Sequence, residues 1–288
     1  MKPAAFEYLQ PTTRAEVLEV LHQFSASAKV LAGGQSLVPL MNLRLARPAV
    51  VVDINRIGDL AYLRREDGAL VLGALVRHRQ LERDPAVGSA CPILQEAARH
   101  IGYPAVRNRG TVGGSVAHAD PAAELPCVLL AAGATVVVES RSGRRAIPID
   151  RFFVGPYTTQ LRADELLVEV RVPAVEPDDA WGFAEFARHD GGFALALAAC
   201  VMRRDPEGRV ETARVAVGGV TATPERLVGA EETLRGQRLT DGTIDRAAEH
   251  AAALAAHDDI HATATYRRRL ARWLVREVLR RAAGSRAA

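Results

Sequence analysis

Two diglycine segments constrain this chain more than any other feature: Ala32-Gly33-Gly34-Gln35-Ser36-Leu37 and Thr111-Val112-Gly113-Gly114-Ser115. Glycine reaches positive φ without steric cost and has no Cβ, so consecutive backbone N–H groups can approach one anion closely. Ser36, Thr111 and Ser115 add hydroxyl donors. If both segments close on one ligand, that ligand carries a diphosphate, and the fold must bring together two places far apart in sequence. Neither segment is a G-x-G-x-x-G fingerprint or a G-x-x-x-x-G-K-[ST] loop, which excludes a Rossmann or P-loop reading.

The patterning around the glycines predicts the organisation. Thr13-Arg14-Ala15-Glu16 has capping-box spacing, and Val17, Leu18, Val20, Leu21 and Phe24 follow at helical spacing, predicting a helix over 13–24. Strands over 29–31 and 49–54, the second from its β-branched run, and a helix over 37–43 complete a small α/β unit. A second segment predicts helices over 93–101 and 125–132 and strands over 70–72, 135–139 and 167–172; the turn-rich residues 173–179 end it. Beyond them, strands over 183–186, 193–203 and 210–220 precede helices over 224–234, 243–257 and 264–283. The fold class expected is α+β: a two-part nucleotide-binding domain, with a small α/β and a larger mixed α+β subdomain, then a three-stranded antiparallel sheet with a helix bundle. The expected domains are 1–57, 58–175 and 178–288.

Composition narrows the function classes. The chain of 288 residues has 37 basic and 34 acidic side chains, and this small excess, nearly all arginine, does not argue for nucleic acid. Cys91, Cys127 and Cys200 are isolated singletons, without the spacing of a zinc or iron–sulfur site, and read as buried free thiols. No export signal is read at the N-terminus, and the uncharged stretch 125–138 is broken by Pro126 and Gly133 and too short for a membrane helix. A cytoplasmic protein is expected. His257 and His261 have i,i+4 spacing but no third ligand motif, so no metal site is expected. Asp53, after a strand, reads as structural in the absence of a Rossmann fingerprint. The last helix puts Tyr266, Leu270, Trp273, Leu274 and Val278 on one stripe and crowds Arg267, Arg268, Arg269, Arg272, Arg276 and Arg280 around the rest: a solvated basic face, or a docking face for an acidic partner.

Residues 29–37 and 106–126 together resemble the two FAD-binding segments of the medium, flavin-carrying subunit of the molybdenum hydroxylases, the family of aerobic carbon monoxide dehydrogenase and xanthine dehydrogenase. The resemblance extends over nearly the whole chain, through Asp164-Glu165-Leu166-Leu167 and Thr265-Tyr266-Arg267. It implies an FAD whose pyrophosphate lies on Ala32, Gly33, Gly34, Gln35 and Ser36 and on Thr111, Val112, Gly113, Gly114 and Ser115, with backbone amides as the main donors. It takes in Val30 and Leu31 ahead of the first turn, Leu37 behind it, and Val168. Glu124 stands where the family bonds hydroxyls of the cofactor's sugar portion, Ile101 and Gly102 where it packs near the flavin, and Ala117, His118 and Asp120 as secondary contacts. Phe193 stands where carbon monoxide dehydrogenase relatives place an aromatic against the isoalloxazine ring. From the residues alone, Glu124 can equally be a helix N-terminal charge and Phe193 plain sheet core.

The function the resemblance implies is electron transfer. A large molybdopterin-binding subunit and a small [2Fe-2S] subunit would be separate chains, forming with this one a heterotrimer paired into a hexamer and passing electrons through FAD to an external acceptor. Two rivals stay open: a stand-alone FAD oxidoreductase of the same fold, and a non-catalytic nucleotide-binding or basic adaptor module.

Overall fold

Val50-Val51-Val52 is buried because it forms the middle of a parallel sheet, where both faces of a strand need apolar residues. The computed structural model describes residues 1–176 and 178–284. Its first unit runs β1 (Glu7–Leu9), α1 (Arg14–Phe24), β2 (Ala28–Leu31), α2 (Leu37–Asn42) and β3 (Val50–Asp53), in sheet order β1-β3-β2. Thr13 and Glu16 make the predicted capping box at the start of α1. The first glycine segment is the link from β2 to α2, so it emerges at the end of a parallel strand.

The second unit contains β4 (Leu63–Glu66), β5 (Ala69–Gly73), α3 (His78–Arg83), α4 (Pro85–Ala90), α5 (Pro92–His100), α6 (Pro104–Arg109), α7 (Val112–His118) and α8 (Glu124–Ala132). It continues with β6 (Thr135–Ser140), β7 (Gly143–Pro148), β8 (Phe153–Gly155), β9 (Thr158–Thr159) and β10 (Leu166–Pro173). Five of these strands form an antiparallel sheet in the order β4-β5-β10-β6-β7. A register shift between Leu167 and Glu169 makes Val168 a bulge residue; it joins the apolar cluster of the first unit with Val52 and Leu75.

The third unit is β11 (Ala180–Ala187), β12 (Ala194–Arg204), β13 (Val210–Gly218), β14 (Glu225–Arg226), α9 (Val228–Leu234), α10 (Asp241–Glu249) and α11 (Ala264–Gly284). Its sheet has the three expected strands plus the two-residue β14 on β13. That pairing takes up Glu225 and Arg226, so α9 begins at Val228 rather than at residue 224. α10 tightens into a 3-10 turn at His250–Ala253, well short of residue 257. α8 is buried on every side and shares one core cluster with Phe183, Leu197 and Ala199 of the third sheet, so the second and third units pack through a common core. All three cysteines are buried and free.

Several arginines of α11 have partners within the chain. Arg272, Arg276 and Arg280 pair with Glu249, Asp245 and Asp241 of α10, a ladder in which both antiparallel helices present charges at i,i+4 spacing. Arg267 is buried. Three of the six arginines of the basic face therefore close on α10. Among the described residues, no helix is long and apolar enough to cross a membrane.

α11 approaches β11 at Gly182, where an added Cβ would lie 2.3 Å from the Val278 carbonyl oxygen. Gly182→Ala must push helix and sheet apart, at a cost of roughly 1–3 kcal/mol. The expected outcome is a thermal midpoint lower by several degrees, read by calorimetry; an unchanged midpoint would show that the contact relaxes freely.

Candidate cofactor site

The two glycine segments touch. A Cβ on Gly33 would lie 2.5 Å from the Arg109 carbonyl oxygen and 2.8 Å from Gly110 Cα, so only glycine allows the backbones to meet. One on Gly114 would lie 3.7 Å from Ala32 Cβ. Gly34 has φ +75, which turns the chain from β2 into α2. The backbone N–H groups of Gly33, Gly34, Gln35 and Ser36 donate to no protein acceptor among the described residues. Four adjacent donors without partners form a cradle for an anionic ligand.

The second segment differs from the expected turn: residues 112–118 are the helix α7, capped by the Thr111 hydroxyl. Its early amides already have acceptors. Val112 N bonds Val76 O at 2.9 Å, Gly113 N bonds Ala74 O at 2.9 Å, and Gly114 N bonds Thr111 Oγ1 at 3.1 Å. Gly113 is needed for packing, since a Cβ there would lie 2.6 Å from that of Ala74. The amides of Val112 and Gly113 thus fasten the helix to the chain beyond β5, and the expectation that this segment supplies backbone donors as the first does is corrected.

Side chains that the sequence reading did not single out hold the segments in contact. Asn55 Nδ2 donates to Ala32 O at 2.8 Å and to Asp53 Oδ1 at 2.6 Å. Arg77 donates to Asn55 Oδ1 at 2.7 Å and, through its other terminal nitrogen, to Arg109 O. His78 lies beneath, its Nε2 3.0 Å from Thr111 O, and burial pushes its pKa down to about 4, so the ring is neutral. Asp53 is structural: it accepts from Tyr8, Gln10 and Asn55, and although burial opposes its ionisation these bonds leave its pKa below the ordinary value. Their partners on the second segment, Arg109 O and Thr111 O, are main-chain carbonyls, which no side-chain spacing reveals.

The remaining expected residues surround this contact. Val30 and Leu31 lie on β2, Leu37 opens α2, and Val168 shares the cluster packed by Val30 and Ala32. Ile101 is buried at the end of α5, and Gly102 follows with φ +46. Ala117 and His118 are on α7, with the His118 ring 5.0 Å from that of Tyr157. Phe193 precedes β12 instead of opening it and is 78% exposed, which removes the sheet-core alternative. It is tied to the others through its turn: a Cβ on Gly191 would lie 3.1 Å from the Gly102 carbonyl carbon.

Glu124 is buried at the first position of α8, where its carboxyl accepts a hydrogen bond from its own backbone N–H. Burial, with the Glu185 carboxylate nearby, pushes its pKa up to about 8, overriding the helix N-terminus. It is mostly neutral near pH 7, able to donate as well as accept. Glu185 has one buried oxygen without a partner and the other 3.5 Å from His100 Nδ1; this contact raises the His100 pKa. A free amide cradle, a neutral buried acid and an exposed aromatic suit the pyrophosphate, sugar and ring of a flavin nucleotide.

Residues 4–175 match the model described as "FAD binding domain in molybdopterin dehydrogenase", and residues 181–282 match "CO dehydrogenase flavoprotein C-terminal domain". The chain belongs to the FAD-binding family of the molybdopterin dehydrogenases. It is 41% identical over 284 residues to the 6-hydroxypseudooxynicotine dehydrogenase complex subunit alpha of Paenarthrobacter nicotinovorans, covering 98% of this chain and 96% of that one. It is 38% identical over 280 residues to the carbon monoxide dehydrogenase medium chain of Hydrogenophaga pseudoflava, covering 97% of each. The solved carbon monoxide dehydrogenase of that organism superposes with a TM-score of 0.97 at 39% identity, and the quinoline 2-oxidoreductase of Pseudomonas putida 86 with 0.94 at 37%; each comparison covers 100% of both chains. The resemblance to a molybdenum hydroxylase medium subunit is borne out. The flavoprotein subunit is part of an oxidoreductase, and its cofactor is FAD.

For the unliganded flavoprotein subunit, Glu124 gives a pH signature. The carboxyl is protonated in the folded chain up to about pH 8 but ionises from about 4.5 once unfolded, so between these values the folded state holds the extra proton and stability falls as pH rises. Glu124→Gln removes this loss, which amounts to at most about 1.4 kcal/mol per pH unit. Expected thermal midpoints coincide with the parent's below pH 4.5 and exceed it increasingly up to pH 8; parallel profiles would show that Glu124 does not titrate abnormally.

Proposed function

We propose that this subunit passes electrons from a separate [2Fe-2S] subunit through its FAD to an external acceptor. It would do so in the cytoplasm, in a complex with a large molybdopterin-binding chain, the three chains assembling as (large-medium-small)2. The observation that carries the reading is the contact of the two glycine segments, with four unpaired amides at one of them. The names of relatives as a medium chain and a complex subunit support the multi-chain setting.

The amides of Gly33, Gly34, Gln35 and Ser36 would receive the pyrophosphate, with α7 as a rigid wall carrying the Ser115 hydroxyl. The neutral Glu124 carboxyl would bond a sugar hydroxyl, Ile101 and Gly102 would pack by the ring, and Phe193 would close over it. Bound FAD accepts electrons singly or in pairs, which is what joins one-electron centres to two-electron acceptors. The protein's part is to position the ring and limit its contact with water. We also propose the division 1–57, 58–175 and 178–288; a separate sheet in each part supports it.

Gly33→Ala should weaken FAD retention by roughly tenfold to a hundredfold, because the added methyl forces the segments apart. The flavin absorbance of the purified variant measures this, and full flavin content would refute the cradle. Native co-purification should recover two further chains containing molybdenum and iron. Rapid bleaching of the isolated chain's flavin by a nicotinamide dinucleotide donor would instead favour the stand-alone oxidoreductase.

A further inference from the structure

The face of the third sheet that packs on α8 changes character where α8 ends. Along β12 and β13 it is apolar at Leu197, Ala199 and Ala216, which belong to the core shared with α8. Beyond them Arg203, Arg214 and Arg226 stand on the adjacent strands β12, β13 and β14. All three line a cavity of about 270 Å³ whose other walls include Gly133, at the end of α8, and residues 173–175. α8 has nine residues, with Glu124 at its other end, so roughly 13 Å of helix separates this cavity from the candidate cofactor site.

These three guanidinium groups have two carboxylates between them. Arg226 is bonded to Glu231 through Nε at 2.9 Å and through a terminal nitrogen, and Glu231 Oε1 also accepts from the Val215 amide at 3.0 Å. Arg203 donates from Nε to Asp179 Oδ1 at 3.2 Å, while Asp179 Oδ2 accepts from the Glu176 amide at 3.0 Å. Both carboxylates are therefore committed. Arg214, on the strand between those pairs, is partly buried and makes no hydrogen bond or ion pair among the described residues. Its guanidinium rests on Gly133, where an added Cβ would lie 2.9 Å from Cζ, but the carbonyls of Leu129 and Leu130 in the last turn of α8 accept from the amides of Ala134 and Gly133 instead. Burial and the charge of Arg226 hold the Arg214 pKa below the ordinary arginine value, against the more distant attraction of Glu231 and Asp150. A partly buried cation with no contact partner calls for a counter-anion. Its planar fork of N–H donors matches the oxygens of an oxoanion, and Thr212, two residues along β13 on the same wall, adds a hydroxyl.

We propose that the cavity at the end of α8 is an oxoanion site that takes a phosphate group, held by Arg214 with Arg203 and Thr212 beside it. The phosphate oxygens accept from the Arg214 guanidinium, and the bound anion ties the third sheet to the end of α8 and to the chain that leaves β10. Inorganic phosphate and the end of a small phosphomonoester present the same oxygens to the site. Nothing in this inference depends on the flavin reading.

The test uses the full chain loaded with FAD, so that the amide cradle is filled and cannot take the probe. Inorganic phosphate and glycerol 3-phosphate are titrated by calorimetry at constant ionic strength, with chloride as the balancing anion. One saturable site is expected, and a thermal midpoint that rises with the bound probe but not with chloride. Tighter binding of inorganic phosphate supports the site as one for the free anion; tighter binding of glycerol 3-phosphate supports it as one for a phosphomonoester. Arg214→Gln should bind at least about tenfold more weakly. Thr212 is exposed on the cavity wall, so Thr212→Glu leaves the core untouched and places a carboxylate where the anion would sit. That variant should keep its flavin absorbance, lose the saturable binding and, without phosphate, melt above the parent. A parent chain that binds neither probe, or binding kept at parental strength by either variant, overturns the site.

Discussion

The backbone of Gly33 lies directly against the Arg109–Gly110 peptide, and the cofactor site depends on that contact. It joins two units whose sheets are built differently, one parallel and one antiparallel. A contact of this kind requires the absence of a Cβ and a means of holding two loops still. The hydrogen-bonded chain from Arg109 through Arg77 and Asn55 to Ala32 supplies the second. Because Arg77 and Asn55 bond each other and each also bonds a main-chain carbonyl of one segment, together they set the separation of the segments.

The segments then have different tasks. The first leaves its amides open; the second uses its own to anchor α7, so one side can receive a ligand while the other resists movement. Preorganisation of this kind lowers the ordering cost of binding. Burial has a comparable influence on charge. It keeps His78 neutral beneath the contact and raises Glu124 to about 8, so that the buried groups around the cradle act by hydrogen bonding more than by net charge.

Strongly patterned parts of the fold were legible in the sequence. The capping box at Thr13, the β-branched run at 50–52, the long apolar strands of the third sheet and the amphipathic α11 all have local causes. The elements missed were edge or very short strands and the short helices α3, α4, α6 and α7. β4 and β7 are rich in arginine because each has a solvated edge, so their composition resembles that of loops. β1 and β14, with three and two residues, are too short to show periodicity and are fixed by their neighbours. For the site, the glycine segments and the flanking residues were legible as a motif, whereas Asn55, Arg77, His78 and Glu185 carried no local signal.

The sequence by itself determined the unit types, the glycine positions that permit close approach and, through a long specific motif, the family and its cofactor. Tertiary structure decided which amides are free, that Glu124 is neutral, and that Arg272, Arg276 and Arg280 of α11 pair with α10. The physical reason is common to these cases: propensity and periodicity act between near neighbours, whereas hydrogen-bond satisfaction, desolvation and charge pairing depend on which distant residues fold into contact.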